Sequence, residues 1–276
     1  MRSIKYKLPV ILIMGLLFGM GLATAFVNPH SGTYTLSELV LQLSGSRGKF
    51  EMGFNVVELL SFTIRMLPAF VFEAYVGTEL YQYFCTASVY VFSRTPNRLR
   101  WYANEVSAIA ILVIIYELML LSSTLLVTFL RYQVELDGAG LVLCACHFVL
   151  YALWTYALTV LVNLFAILFG SGVSFMLLTG IQLVMISLLI LVNMFSEDTA
   201  IVTLLMRVNP ISHLVLGWHN STVEALNLAL HSPYSGLFLH SSLLLMAVFC
   251  VVAVLLGAFI TQRYDLLISN LETGVS

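Results

Sequence analysis

Three ionisable side chains, Arg65, Glu73 and Glu117, lie inside apolar runs of this sequence. A charge in hydrocarbon is costly and turns toward protein or water, so each is a candidate for an ion path, a cargo contact or a structural clamp. Glu58 and Arg65 are seven residues apart and Arg65 and Glu73 eight, which puts all three on roughly one helical face. An Arg65–Glu117 or Arg65–Glu73 pair is expected, as a clamp ahead of a cargo contact. Pro68 is expected to kink that helix near its centre.

Other stretches resemble chemistry without completing it. Cys144-Ala-Cys146-His147 has the look of a metal fragment but lacks a second ligand pair, so small buried residues on a helix are expected. Gly170-Ser-Gly-Val-Ser174 has the wrong order for a serine nucleophile turn, and no histidine is placed to activate it. Gly45-Ser-Arg-Gly-Lys49 lacks the spacing of a phosphate loop. His147, His213, His219, His231 and His240 show no metal spacing; satisfied outer-loop histidines are expected, with His213 and His219, six apart, on different helical faces. No catalytic residue and no metal site is predicted.

The elements that must carry these groups follow from composition. The chain has 276 residues, 60% hydrophobic and 9% charged, with a mean hydropathy of +0.98. That composition excludes an ordinary soluble domain. A helical span needs roughly 20 apolar residues, and runs of that kind recur at about 8–27, 106–130, 139–169, 173–195 and 240–261. Residues 56–84 form the weakest run, because Glu58, Arg65, Pro68, Glu73 and Glu79 interrupt it. The prediction is an all-α integral membrane protein of six transmembrane helices in one domain, residues 1–276. The runs are continuous and do not alternate, which argues against a barrel.

Lys and Arg placement gives the orientation. Arg2, Lys5, Lys7, Arg94, Arg98, Arg100 and Arg263 fall on one side, and Arg47, Lys49, Arg131 and Arg207 on the other. Both termini are therefore expected in the cytoplasm. The first run is basic at its start and carries Ala23-Thr24-Ala25, a small-x-small sequence, but its apolar length favours an uncleaved span over a signal peptide. Cys85, Cys144, Cys146 and Cys250 all lie in or beside apolar runs and offer no outer-loop disulfide pair. Leu36–Leu43 is expected as a short helix against the membrane, and the turn at 170–172 as a tight antiparallel hairpin.

One sizeable inner loop remains, Tyr90-Val-Phe-Ser-Arg-Thr-Pro-Asn-Arg-Leu-Arg-Trp-Tyr102, with three arginines in seven positions. As a membrane anchor, it would meet lipid phosphates through Arg and headgroups through its aromatics. As a docking knob, Thr95 would cap a helix starting at Pro96, presenting Arg94, Arg98 and Arg100 to a soluble partner, with Tyr90 and Trp101 as apolar anchors.

This layout resembles the permease subunit of type-2, exporter-like ABC transporters, in particular the small permeases of bacterial peptide and bacteriocin export or immunity systems. The likeness rests on Val89–Arg94, Asn97-Arg98 and Trp101-Tyr102, and on Asn209-Pro-Ile-Ser-His-Leu-Val-Leu-Gly-Trp-His219. It implies that the loop is a short cytoplasmic coupling helix seated on an ATPase. It implies too that Asn209, Pro210, His213 and Trp218 belong to an outer re-entrant hairpin before the last span, acting as a gate. An ordinary amphipathic outer helix is the alternative there. Only seven residues precede the first span, fewer than in many relatives, which leaves a second ATPase contact at the N-terminus without support.

The expected function is a non-enzymatic permease of the bacterial cytoplasmic membrane that moves an amphipathic peptide-like or lipid-like substrate outward. It would hold no cofactor itself; ATP and Mg would sit on two copies of a separate ATPase. Membrane lipids and a second permease copy or sister permease are the other expected partners, and nucleic acid is not. The alternative is a proton- or ion-coupled carrier working through Arg65, Glu73 and Glu117.

Overall fold

The computed structural model describes residues 2–27, 33–45, 56–82, 97–195, 199–232 and 236–263. Among the described residues, five helices are long and apolar enough to cross a membrane: α1 (Arg2–Phe26), α5 (Arg98–Arg131), α6 (Gly138–Phe169), α7 (Ser171–Phe195) and α10 (Leu239–Arg263). A sixth long helix, α3 (Val56–Val76), carries Glu58, Arg65 and Glu73. Shorter pieces connect them: β1 (Thr33–Thr35), α2 (Leu36–Ser44), the single turn α4 (Glu79–Tyr81), β2 (Gln133–Glu135), α8 (Thr199–Val208) and α9 (Glu224–Leu230). Two 3-10 turns, Pro210–Leu214 and Leu216–Trp218, follow α8.

Specific contacts fix the direction of each long helix. Gly15 of α1 lies against Tyr116 and Met119 of α5, and Gly19 against Leu120 and Ser123, so α1 and α5 run parallel. Cys250 of α10 bonds the Leu153 carbonyl and Gly257 touches Leu164, which makes α10 parallel to α6. Glu117 and Tyr102 of α5 meet the levels of Thr155 and Leu164 in turn, so α5 and α6 are antiparallel. Gly170 alone joins α6 to α7, with a φ of 86° that suits glycine, and the two helices fold back on each other. α1, α5 and α7 thus point one way and α3, α6 and α10 the other.

Two helix ends depart from the sequence reading. The run 56–84 does not continue as one helix: α3 stops at Val76, and Leu80 in the following turn donates its N–H to the Asn163 side chain at 2.8 Å. α2 does not lie against the membrane. Seven of its nine residues are buried, and Thr35 and Glu38 close a capping box at its start. Asp137, the N-cap of α6, accepts from Gly140 N and from Ser37 N at 3.0 Å each, and so ties α2 to α6.

Two apolar cores result. One gathers α2, α6 and the 3-10 turns around Trp154 and Trp218. The other gathers α1, α5, α6 and α10 around Tyr102, Tyr116 and Phe72. The outer faces stay apolar, with Met176 and Val184 on α7 and Leu244, Val251 and Leu255 on α10 exposed, as hydrocarbon contact requires.

Candidate functional site

α6 carries a buried polar stripe. His147, Tyr151, Thr155, Thr159 and Asn163 recur every four residues on its protein-facing side, all of them buried. At 1.5 Å per residue the stripe is about 24 Å long, most of the hydrocarbon thickness.

At one end, Arg65, Glu117, His147, Tyr151 and Thr124 line a small cavity beneath α2. Its free volume of about 20 Å³ is room for about one water. Arg65 Nε, His147 Nδ1 and the Tyr151 hydroxyl are buried there without a hydrogen-bond partner. The remaining guanidinium nitrogens of Arg65 bond Ser61 and, at 3.2 Å, the Gln42 carbonyl of α2. Its central carbon, Cζ, lies 3.8 Å from the centre of the Phe26 ring. Glu117 accepts from Thr155 at 2.8 Å. Chemically, the cavity offers a cation, a carboxyl, a phenol and an imidazole to one small polar guest.

The expected ion pairs do not form. Arg65 and Glu117 share the cavity wall, but each takes neutral partners. Glu73 is a full turn or more away along α3 and accepts from Gln182 of α7 at 2.9 Å, leaving its other oxygen unpartnered. Pro68 leaves α3 continuous, and its carbonyl accepts from Tyr116 at 2.9 Å. The ion pair found among the described residues joins Lys7 to Glu79.

The Asn209–His219 stretch forms a buried cap over the same end of the bundle. Asn209 stops α8 by accepting from Ile211 N at 3.0 Å, and its amide donates to the Met185 carbonyl at 2.8 Å. Pro210 takes the first position of the following turn. Ser44 of α2 accepts from Leu216 N at 3.2 Å, and Ser232 donates to the Trp218 carbonyl at 2.7 Å. The Trp218 ring, fully buried, lies 6.0 Å from Phe62 of α3. Protein buries this non-α-helical backbone and supplies partners to its polar groups.

His213 and His219 do not diverge as helical spacing predicted, because the chain between them is not α-helical. Both reach the Ser242 hydroxyl of α10, each at 2.7 Å. Burial pushes His219 down to about 4, aided by His213 and opposed by backbone bonds at Val215 and Leu216. His213 is lowered by burial, against a bond to the Arg207 carbonyl. His147 is not an outer-loop residue either; it lies within α6 and faces the cavity.

At the opposite end, α5 begins at Arg98 with Asn97 as its cap, accepting from Arg100 N at 3.0 Å. Thr95, the cap expected from sequence, lies outside the described residues. Arg100 is exposed and Arg98 half-buried. Trp101, expected as a partner's anchor, packs instead into the chain's own core at 8% exposure. Tyr90, Arg94, Pro96 and Cys85 lie outside the described residues.

His147, read from sequence as an outer-loop residue, joins Tyr151, Thr155, Gln182 and Ser242, none of which the sequence reading singles out. The four-residue spacing of polar groups within the α6 run was a readable sign of the first three. Gln182 and Ser242 carry no such mark, since each is defined by a partner on a distant helix. No family model, curated protein or solved structure matches the chain.

Proposed function

We propose that this chain is the permease subunit of an ATP-driven, type-2 ABC exporter in the bacterial cytoplasmic membrane. In this reading α1, α3, α5, α6, α7 and α10 all cross the membrane and both termini are cytoplasmic. Two permease chains, identical or sister, work with two copies of an ATPase that binds ATP and Mg. An amphipathic peptide-like or lipid-like substrate moves outward, and the Asn209–Trp218 cap is the outer gate.

The observation that carries a transport role is the buried stripe on α6 with the Arg65–Glu117 cavity at its end. Ionisable groups such as Arg65 and Glu117, buried within apolar helices, are costly and by default mark a path for substrate or ions. The ATP-driven part rests on the sequence resemblance. It is supported by α5, whose 34 residues make a helix of about 51 Å, well beyond the roughly 30 Å core. Its starting end, with Arg98 and Arg100, has the length to project past the headgroups toward a partner.

The tagged chain, purified in mild detergent, is expected to bring down a phosphate-loop protein with Mg-ATP hydrolysis. Arg98→Glu with Arg100→Glu should release that activity while leaving the chain inserted. Recovery without any ATPase, with substrate movement abolished by an uncoupler, would replace this reading by an ion-coupled carrier. One observation favours that second reading: the side-chain hydrogen bonds that Glu73 and Glu117 accept come from neutral donors, Gln182 and Thr155.

A further inference from the structure

The cap contains a hydrogen-bond count that neutral groups do not close. A carbonyl oxygen only accepts, so His213 Nε2, 3.0 Å from the Arg207 carbonyl, must carry a hydrogen. The same holds for His219 Nδ1, 2.9 Å from the Val215 carbonyl. A neutral imidazole has one N–H, so His213 Nδ1 and His219 Nε2 are left as bare acceptors. Both point at the Ser242 hydroxyl, each at 2.7 Å, and that hydroxyl has one hydrogen to give. One of the two contacts then sets lone pair against lone pair at hydrogen-bond distance.

A single added proton removes the conflict. The protonated ring donates to Ser242 Oγ, Ser242 donates to the second ring, and all four contacts are filled. A second proton would leave the hydroxyl hydrogen without an acceptor and set two cations side by side. We propose that His213, Ser242 and His219 form a binding site for one proton, occupied when the 3-10 turns of the cap are docked on the start of α10.

The surroundings neither supply nor forbid that charge directly. Titratable groups on the elements packed against the cap are Glu38 on α2, Glu58 and Arg65 on α3, Asp137 at the start of α6 with Cys144, Cys146, His147 and Tyr151 along it, Arg207 on α8, Glu224 on α9, His231 just after it, and His240 on α10. None of their side chains bonds either ring, and Arg207 is turned to the Gly236 carbonyl at 2.9 Å. Burial favours the neutral rings. The proton is held against that tendency because its loss strips one short contact of its hydrogen. Undocking the cap is the alternative, so proton and cap position are linked. This site is independent of whether the chain is an ATP-driven exporter.

The test is the apparent Tm of the full chain in detergent from pH 8 to pH 6, for wild type, Ser242→Ala and His219→Gln. For the proton to be held, the filled contacts at Ser242 must outweigh the burial that lowers both rings, so that the docked site binds its proton more tightly than an unfolded histidine at about 6.5. Its stabilisation is therefore complete below that pH and is lost as pH rises through the docked site's own value. Wild type is expected to rise by about 2–4 °C on acidification relative to Ser242→Ala, which has no hydroxyl to share. His219→Gln offers Ser242 a permanent amide donor and is expected to lose the response, which keeps the test usable if Ser242→Ala folds poorly. The remaining histidines are common to all three chains and cancel. A wild-type Tm that falls with pH in step with Ser242→Ala overturns the proposal, and so does an undiminished rise in His219→Gln.

Discussion

Gly19→Ala is expected to loosen the seam between α1 and α5. A Cβ at Gly19 would lie 1.9 Å from Ser123 Oγ and 2.2 Å from the Leu120 carbonyl oxygen. The serine can rotate, but the carbonyl belongs to the α5 backbone, and 2.2 Å is about 1.2 Å short of a normal carbon–oxygen contact. The helices must part by about that distance. Parting stretches the Thr124 hydroxyl bond to the Gly19 carbonyl, now 3.0 Å, and the 3.4 Å contact from Ser123 to the Gly15 carbonyl. Overpacking of this kind costs about 1–3 kcal/mol, and a lost interhelical bond in a membrane about 0.6 kcal/mol or somewhat more. Gly21 is the internal control: it sits on the same helix and a Cβ there meets nothing within 4 Å. Both alanines gain the same helix propensity, so Gly19→Ala should be about 2–4 kcal/mol less stable than Gly21→Ala in equilibrium unfolding from mixed micelles. Adding Ser123→Ala should recover little, because the Leu120 carbonyl remains. Equal stability of the two glycine variants, within about 0.5 kcal/mol, would refute the close-packed seam.

Two further outcomes are expected. Asn163→Leu strands the Leu80 N–H and the Val76 carbonyl and should cost about 2–4 kcal/mol in the same assay, with proteolysis increasing first around α4. Thr155→Val removes the donor to Glu117 and should cost about 1–3 kcal/mol alone but much less in a Glu117→Leu background, because replacing both partners leaves nothing unsatisfied; equal cost in both backgrounds would show the bond to be idle.

The long helices were legible because a bilayer imposes a length and a composition that sequence displays directly. The run 106–130 became Arg98–Arg131 and 139–169 became Gly138–Phe169. What composition cannot display is which residue faces which helix. Glu117 was recognised as unusual from its apolar neighbours, but Thr155, its partner, is ordinary in isolation. Arg65 was paired on paper with acids by charge alone, whereas the fold gives it carbonyl, hydroxyl and aromatic partners. His213 and His219 were separated by assuming α-helical rotation, and Asn209-Pro210 changes the backbone so that both turn to one serine. Thr35-x-x-Glu38, a local capping signal, marked the start of α2 yet said nothing of its burial.

The parallel arrangement of α1 and α5 has a consequence for the order of assembly. The bond from Thr124 to the Gly19 carbonyl spans 105 residues of chain. β1 pairs with β2 in parallel across a similar separation, Thr33 opposite Gln133. At about 5–20 residues per second, α5 leaves the ribosome some 5–20 s after α1. Throughout that interval α1 must rest in lipid with Gly15 and Gly19 uncovered, and α2 must wait a similar 100 residues for the Asp137 carboxylate that fixes its start. α1 is made well before α5, yet its seam cannot close until the chain through α5 has been inserted.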